Sequence, residues 1–144
     1  MICGMGYAGK STYAKKLYKE LKEKDPDKKI VICSVDEQRL SSAVPLETGK
    51  ENFIKKIKAS INLYDIIILD FSFDHVNSRK WLLDSVKFDY NINFYCIYLK
   101  PSIEQIVNNY FDKSPKIALT KEKYDEMVKV HSNKDLPTEK EFNF

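Results

Sequence analysis

The sequence predicts an α/β fold, an open parallel sheet of four to five strands with helices on both faces. Short apolar, β-branched runs alternate with segments of helical period. Three of those runs are almost continuously apolar, as strands covered on both faces are. Three of the four glycines crowd into "GMGYAGKS", Gly4 to Ser11, directly after the first run.

Each element follows from local pattern. Ile2 to Gly4 is a short first strand. The next helix puts Tyr13, Ala14, Leu17, Tyr18 and Leu21 on one side, Lys15, Lys16, Lys19 and Lys22 on the other, and ends at Asp25-Pro26-Asp27. A strand over Lys29 to Ser34 precedes a helix opening at "TGKE", where Thr48 and Glu51 read as a capping box and Phe53, Ile54, Ile57 and Ile61 face inward. Asp65 to Asp70 is the third strand, Asn77 to Val86 a helix containing Trp81, and Asn93 to Leu99 the fourth strand. After Pro101, a capping box of Ser102 and Gln105 starts a helix that buries Ile103, Ile106, Val107 and Tyr110. A last helix spans Thr120 to His131, and "EFNF", Glu141 to Phe144, is what remains for a fifth strand. No repeat, linker or low-complexity tract divides the chain, so one domain over residues 1–144 is expected.

Composition narrows the class. A chain of 144 residues that is 43% hydrophobic and 31% charged suits a globular domain that buries roughly two thirds of its surface, and excludes a disordered chain. The longest apolar stretch, around "YDIIILDF", is far short of a membrane helix, and Met1 to Lys10 has no leader pattern; a cytoplasmic protein with no membrane partner is expected. Cys3, Cys33 and Cys96 are odd in number and form no C-x-x-C pair, which favours reduced core thiols over disulfides or a zinc site. A net charge of +3 permits an anionic substrate without naming one, and the oligomeric state is left open.

In open parallel sheets, ligands bind outside the carboxyl ends of the strands. Four places lie there: Gly4 to Ser11, Asp36 with Arg39, Asp70 with Ser72, and Lys100. The first fits G-x-x-x-x-G-K-[S/T] through Gly4, Gly9, Lys10 and Ser11. Such a loop turns successive N–H groups into one concavity that phosphate oxygens fill, while the following helix adds its positive end. The lysine reaches the β- and γ-phosphates, and the Ser hydroxyl ligates Mg²⁺. Gly4, Gly6, Gly9, Lys10, Ser11 and Thr12 are therefore the expected binding residues for a nucleoside triphosphate, ATP with Mg²⁺. This makes the fold a three-layer P-loop NTPase of the nucleoside-kinase-like kind. "NKDL", Asn133 to Leu136, misses a guanine-specifying N-K-x-D because leucine replaces the aspartate, and the chain is short for a remodelling ATPase. A small kinase fits the size.

"GMGYAGKST", "ICSVDEQRL", "IIILDFSFDHVNSRKWL" and "YFDKSPKIALTKEKYDEM" together resemble the P-loop kinases that include polynucleotide 5′-hydroxyl kinases, zeta toxins and small-metabolite kinases. The resemblance implies that Asp36 takes the proton of the attacking hydroxyl, that Arg39 helps hold the acceptor, and that Asp70 stands near Mg²⁺ as a Walker-B-like carboxylate, with Ser72 at the hydroxyl position. Lys10, Asp36 and Arg39 are then catalytic, and Ser11 and Asp70 hold the metal. Phe73 stands where the family has asparagine. A lid over about residues 108–120 is implied as well; families of this kind bring arginines from it, whereas here Lys113 and Lys116 are the basic residues nearest it, able to substitute in part as point charges, with plain solvent exposure as the alternative for each. The implied reaction is transfer of the γ-phosphoryl group to a hydroxyl acceptor, with a nucleic-acid 5′ end favoured. A small-metabolite or zeta-toxin-like kinase, or an ATP-binding module without efficient transfer, are the alternatives.

Plainer readings stand beside these. Ser34 and Glu37 suit a capping box, with Asp36 merely near a helix start; Asp70 suits a solvated strand end; and Arg79 either reaches the acceptor or pairs with Asp74 or Asp84. His75 and His131 read as ordinary surface or helix residues, and the lysine runs at residues 15–24 and 55–58 as solvated helix faces.

Overall fold

The computed structural model describes residues 1–39, 43–88, 91–132 and 136–142. Four parallel strands form one sheet: β1 (Ile2–Cys3), β2 (Ile30–Ser34), β3 (Ile66–Asp70) and β4 (Ile97–Tyr98), in the order β2-β3-β1-β4. Between and after them lie α1 (Lys10–Lys24), α2 (Val35–Gln38), α3 (Leu46–Ser60), α4 (Val76–Val86), α5 (Ile103–Lys113) and α6 (Lys121–His131). The expected architecture is the one observed, with four strands among the described residues.

Alternation along the strands sorts the core into two faces. Ile2, Ile30 and Ile68 pack with Ala14, Tyr13, Leu17 and Leu21 of α1. Their neighbours Cys3 and Leu69 turn the other way, joining Cys33, Phe53 and Ile57 of α3 and Leu82 and Val86 of α4. A third cluster joins Met5 and Ala8 of the loop after β1 to Ile106 and Tyr110 of α5 and Met127 of α6. All three cysteines are free, with the Cys3 and Cys96 sulfurs 3.2 Å apart.

Several expected boundaries move, each for a physical reason. β4 covers two residues rather than Asn93 to Leu99, because among the described residues it pairs with β1 alone, which offers Ile2 and Cys3 to Ile97 and Tyr98. Helix α3 starts at Leu46 on an N-cap at Pro45, so Thr48 and Glu51 lie inside its first turns and form no cap. Ser34 does occupy the N-cap of α2, but its side chain makes no capping bond, and Glu37 pairs instead with Lys56 at 2.9 Å. The Ser102 cap is present, its hydroxyl accepting from the Gln105 N–H at 3.2 Å, and Thr120 caps α6 in the same way. "EFNF" does not supply a fifth strand: Glu139–Phe142 is a 3-10 turn, Glu141 being drawn to Arg79, while Asn143 and Phe144 lie outside the described residues. Most of "NKDL" lies outside them too.

Candidate functional site

The strand order decides where a ligand can sit. From β1 the chain crosses to β2, on the far side of β3, whereas β4 lies on the other side of β1, so helices diverge around the carboxyl end of β1 and leave a crevice there. The loop Gly4 to Gly9 occupies that crevice. Gly4 has φ +146°, and a Cβ there would stand 2.7 Å from the Leu99 carbonyl oxygen, so the residue is bare because the chain just after β4 comes too close. Gly9, φ +87°, is the left-handed N-cap of α1. Gly6 is exposed, with open space where a side chain would be.

Lys10 opens α1 and folds back over the loop, its Nζ donating to the Met5 carbonyl at 2.7 Å. Burial lowers its ammonium pKa, and Lys113 lowers it further; the carboxylates of Asp70, Asp74 and Asp36 act in the opposite direction. Two of these acids, Asp70 and Asp74, come from the end of β3 and its following loop and the third, Asp36, from just after β2, so the ammonium lies in the field of acids from two strand ends and of a lysine from the implied lid. Ser11 and Thr12 follow in the first turn of α1, the former half-buried and the latter exposed. Asp70 ends β3 with 6% exposure, in register with Ile2 on one side and Ser34 on the other. Among the described residues, no cluster of three or more His, Cys, Asp or Glu side chains could hold a metal ion unaided. Ser11 and Asp70 are hard oxygen donors, a set that suits Mg²⁺ shared with phosphate oxygens.

On the far side of β3, Asp36 is exposed on α2. Arg39 caps that helix, its Nε donating to the Val44 carbonyl at 3.3 Å. It also lies across α3 at Gly49, where a Cβ would collide with Arg39 Cγ. Sequence reasoning missed this use of Gly49, although a buried glycine within a helical pattern signals close packing. It also missed Asp74 as a member of the site, having weighed it only as a partner for Arg79.

Arg79 is not available to an acceptor. It is fully buried, with Nε and Nη2 donating to the two carboxylate oxygens of Glu141 at 2.6 and 3.2 Å and Nη1 to the Phe73 carbonyl at 3.1 Å. Phe73, at the family's asparagine position, is a core residue with 0% exposure. Ser72 is half-buried beside it.

The implied lid coincides with the last turns of α5 and the connection to α6. Lys113 is exposed, its Nζ 6.0 Å from the ring centre of Tyr7 in the phosphate loop; Lys116 is exposed in the turn that follows. Lys100 borders a narrow cleft lined by Met5, Asp74, Pro101 and His131. His131 is partly engaged there, its Nε2 2.8 Å from the Pro101 carbonyl oxygen. No helix among the described residues is long and apolar enough to cross a membrane.

A family model described as "Chromatin associated protein KTI12" matches residues 1–135.

Proposed function

We propose, for a chain that belongs to the KTI12 family of chromatin-associated proteins, an ATP- and Mg²⁺-dependent phosphotransferase that moves the γ-phosphoryl group to a hydroxyl. The P-loop fold and its nucleotide-binding character are the family's coarse signature; the transfer is our reading. One observation carries it: the four described strands are parallel, so the loop after β1 with Lys10, Asp70 at the end of β3 and Asp36 just after β2 lie at one edge of the sheet, which supports a phosphate cradle, a candidate metal carboxylate and a candidate base at the same end of the fold.

Phosphoryl transfer is mostly positioning and charge neutralisation. The N–H groups of residues 4–11 and the start of α1 would hold the phosphates, and Lys10 would leave the Met5 carbonyl to neutralise the β- and γ-oxygens. Ser11 and Asp70 would hold Mg²⁺, which would supply positive charge against the charge that develops on the transferring group. Exposed Asp36 would accept the proton of the incoming hydroxyl, with Arg39 orienting the acceptor. Lys113, and Lys116 beyond it, would provide positive charge from the lid. Among hydroxyl acceptors, a family described as chromatin associated supports a nucleic-acid 5′ end over a small metabolite. Free thiols 3.2 Å apart are compatible with the reducing, cytoplasmic setting the sequence suggests.

A second reading is favoured by the arginines. The chain has two, and both are engaged within the fold, Arg39 at Val44 and Gly49 and Arg79 at Glu141. A nucleotide-binding module that operates without efficient transfer would look the same. The deciding experiment is transfer of labelled γ-phosphate from ATP with Mg²⁺ to 5′-hydroxyl RNA and DNA oligonucleotides, nucleosides and sugars, with Lys10→Ala as the blank. Labelling of one class that Lys10→Ala abolishes establishes the transferase. ATP binding with no labelled acceptor favours the module.

A further inference from the structure

Tyr7 has φ +61°, a left-handed conformation unusual for a residue with a large side chain, and it lies in the middle of the phosphate loop. Something must hold it there. Three residues of one helix meet it. Asn109 of α5 donates from Nδ2 to the Tyr7 carbonyl at 2.7 Å. Tyr110 packs edge-on against its ring, with centroids 5.2 Å apart and planes at 71°. Lys113 stands over the ring at 6.0 Å.

The hydrogen bond reaches further than Tyr7. In a planar trans peptide, the C=O of one residue and the N–H of the next point in opposite directions. Anchoring the Tyr7 carbonyl on α5 therefore sets the direction of the Ala8 N–H, which turns to the Met5 carbonyl at 3.3 Å. That same carbonyl is the resting place of the Lys10 ammonium, at 2.7 Å. One side chain on α5 thus governs a run of peptide groups that ends at the P-loop lysine. Apolar packing joins the same two bodies, with Met5 and Ala8 against Ile106, Tyr110 and Met127.

We propose that Asn109 is a positioning residue that couples the phosphate loop to the α5–α6 hairpin, so that nucleotide occupancy and the docking of residues 103–131 strengthen each other. The coupling rests on the nucleotide-site reading above. By linkage, if a docked hairpin favours nucleotide, nucleotide must favour the docked hairpin.

The test uses the whole chain and a fluorescent ADP analogue with Mg²⁺. Asn109→Leu, which removes the donor and keeps the helix, is expected to weaken binding by about tenfold. Glycine adopts positive φ without a brace, so Asn109→Leu placed in a Tyr7→Gly background is expected to cost less than about threefold. A purely structural asparagine would cost the same in both backgrounds. Saturating ADP should slow amide exchange in residues 103–113 and 121–131 of the unsubstituted protein and leave it unchanged in Asn109→Leu. If Asn109→Leu does not fold, Asn109→Ala takes its place. A folded variant that binds ADP within about twofold of the unsubstituted protein overturns the proposal. Should the unsubstituted protein and Lys10→Ala bind ADP equally poorly, the nucleotide-site reading has failed. The brace is then judged in the ligand-free proteins: exchange of residues 5–9 at least about tenfold faster in Asn109→Leu supports it, and an unchanged rate overturns it.

Discussion

Arg79 and Glu141, 62 positions apart, meet in a two-pronged ion pair whose guanidinium is closed off from solvent. The arginine also holds the Phe73 carbonyl, just beyond the Asp70 strand end, so a residue near the end of the described chain steadies the segment that carries the candidate metal ligand. Removing one partner of a buried pair strands the other charge. Glu141→Gln is expected to lower stability by about 3–5 kcal/mol. Chemical denaturation at neutral pH measures it, and a loss under about 1 kcal/mol would show that the pair is dispensable.

The same pair sets an acid limit. The Arg79 hydrogen bond holds the Glu141 carboxyl below its ordinary value of 4.5, with the Thr138 N–H helping. A depressed folded pKa means that the unfolded chain binds the proton more readily. The stabilisation is complete above pH 4.5 and fades as pH falls through the lower folded value. Melting temperature plotted against pH should drop more steeply below that point for the unsubstituted protein than for Glu141→Gln; parallel curves would contradict this origin.

Lys10 gives the opposite limit. Its pKa is lowered chiefly by burial, and bound phosphates would favour the charged form. Nucleotide affinity should therefore weaken as pH climbs into the alkaline range through the lowered value, with a proton taken up on binding there. Calorimetry in two buffers of different ionisation enthalpy detects that proton. Zero uptake at alkaline pH would mean that Lys10 does not meet the phosphates.

Gly4→Ala tests the close approach of Leu99, the residue after β4. The new methyl would meet the Leu99 carbonyl at 2.7 Å on a backbone with φ +146°. We expect a folded or marginal protein that is less stable by about 1–3 kcal/mol and has lost nucleotide binding. Unaltered ADP affinity would show that the loop tolerates a different path.

Gly49→Ala separates Arg39 from the rest of the site. Alanine improves the propensity of α3 by about 1 kcal/mol, yet its methyl displaces the Arg39 side chain. The variant should remain folded and bind ATP normally while transfer to the hydroxyl acceptor falls by about tenfold or more. Full transfer activity would exclude Arg39 as the acceptor's holder.

What could be read in the sequence was whatever depends on local pattern. Apolar periodicity gave the strand and helix order, and the spacing of Gly4, Gly9, Lys10 and Ser11 gave the loop, because such a turn needs those residues in a fixed succession. Asp70 was legible as the last residue of an apolar run, and Asp36 and Arg39 as the first residues after another. Hidden were the relations between distant segments. Nothing near Arg79 announces Glu141, Gly49 gives no hint of its arginine, and Asn109 resembles any polar residue on a helix. The length of β4 was hidden too, since a strand extends only as far as its partner, and that partner is a two-residue strand.

The location of the third core cluster bears on the order in which the protein can be made. Met5 and Ala8 leave the ribosome about a hundred residues ahead of their packing partners Ile106, Tyr110 and Met127. At ordinary synthesis rates of about 5–20 residues per second, the loop then waits several seconds or more without its neighbours. β1 waits as well, since β3 and β4 are both translated after it. The phosphate cradle is thus encoded well ahead of the segments that complete it, and a chain interrupted before α6 carries the motif without the walls that support it.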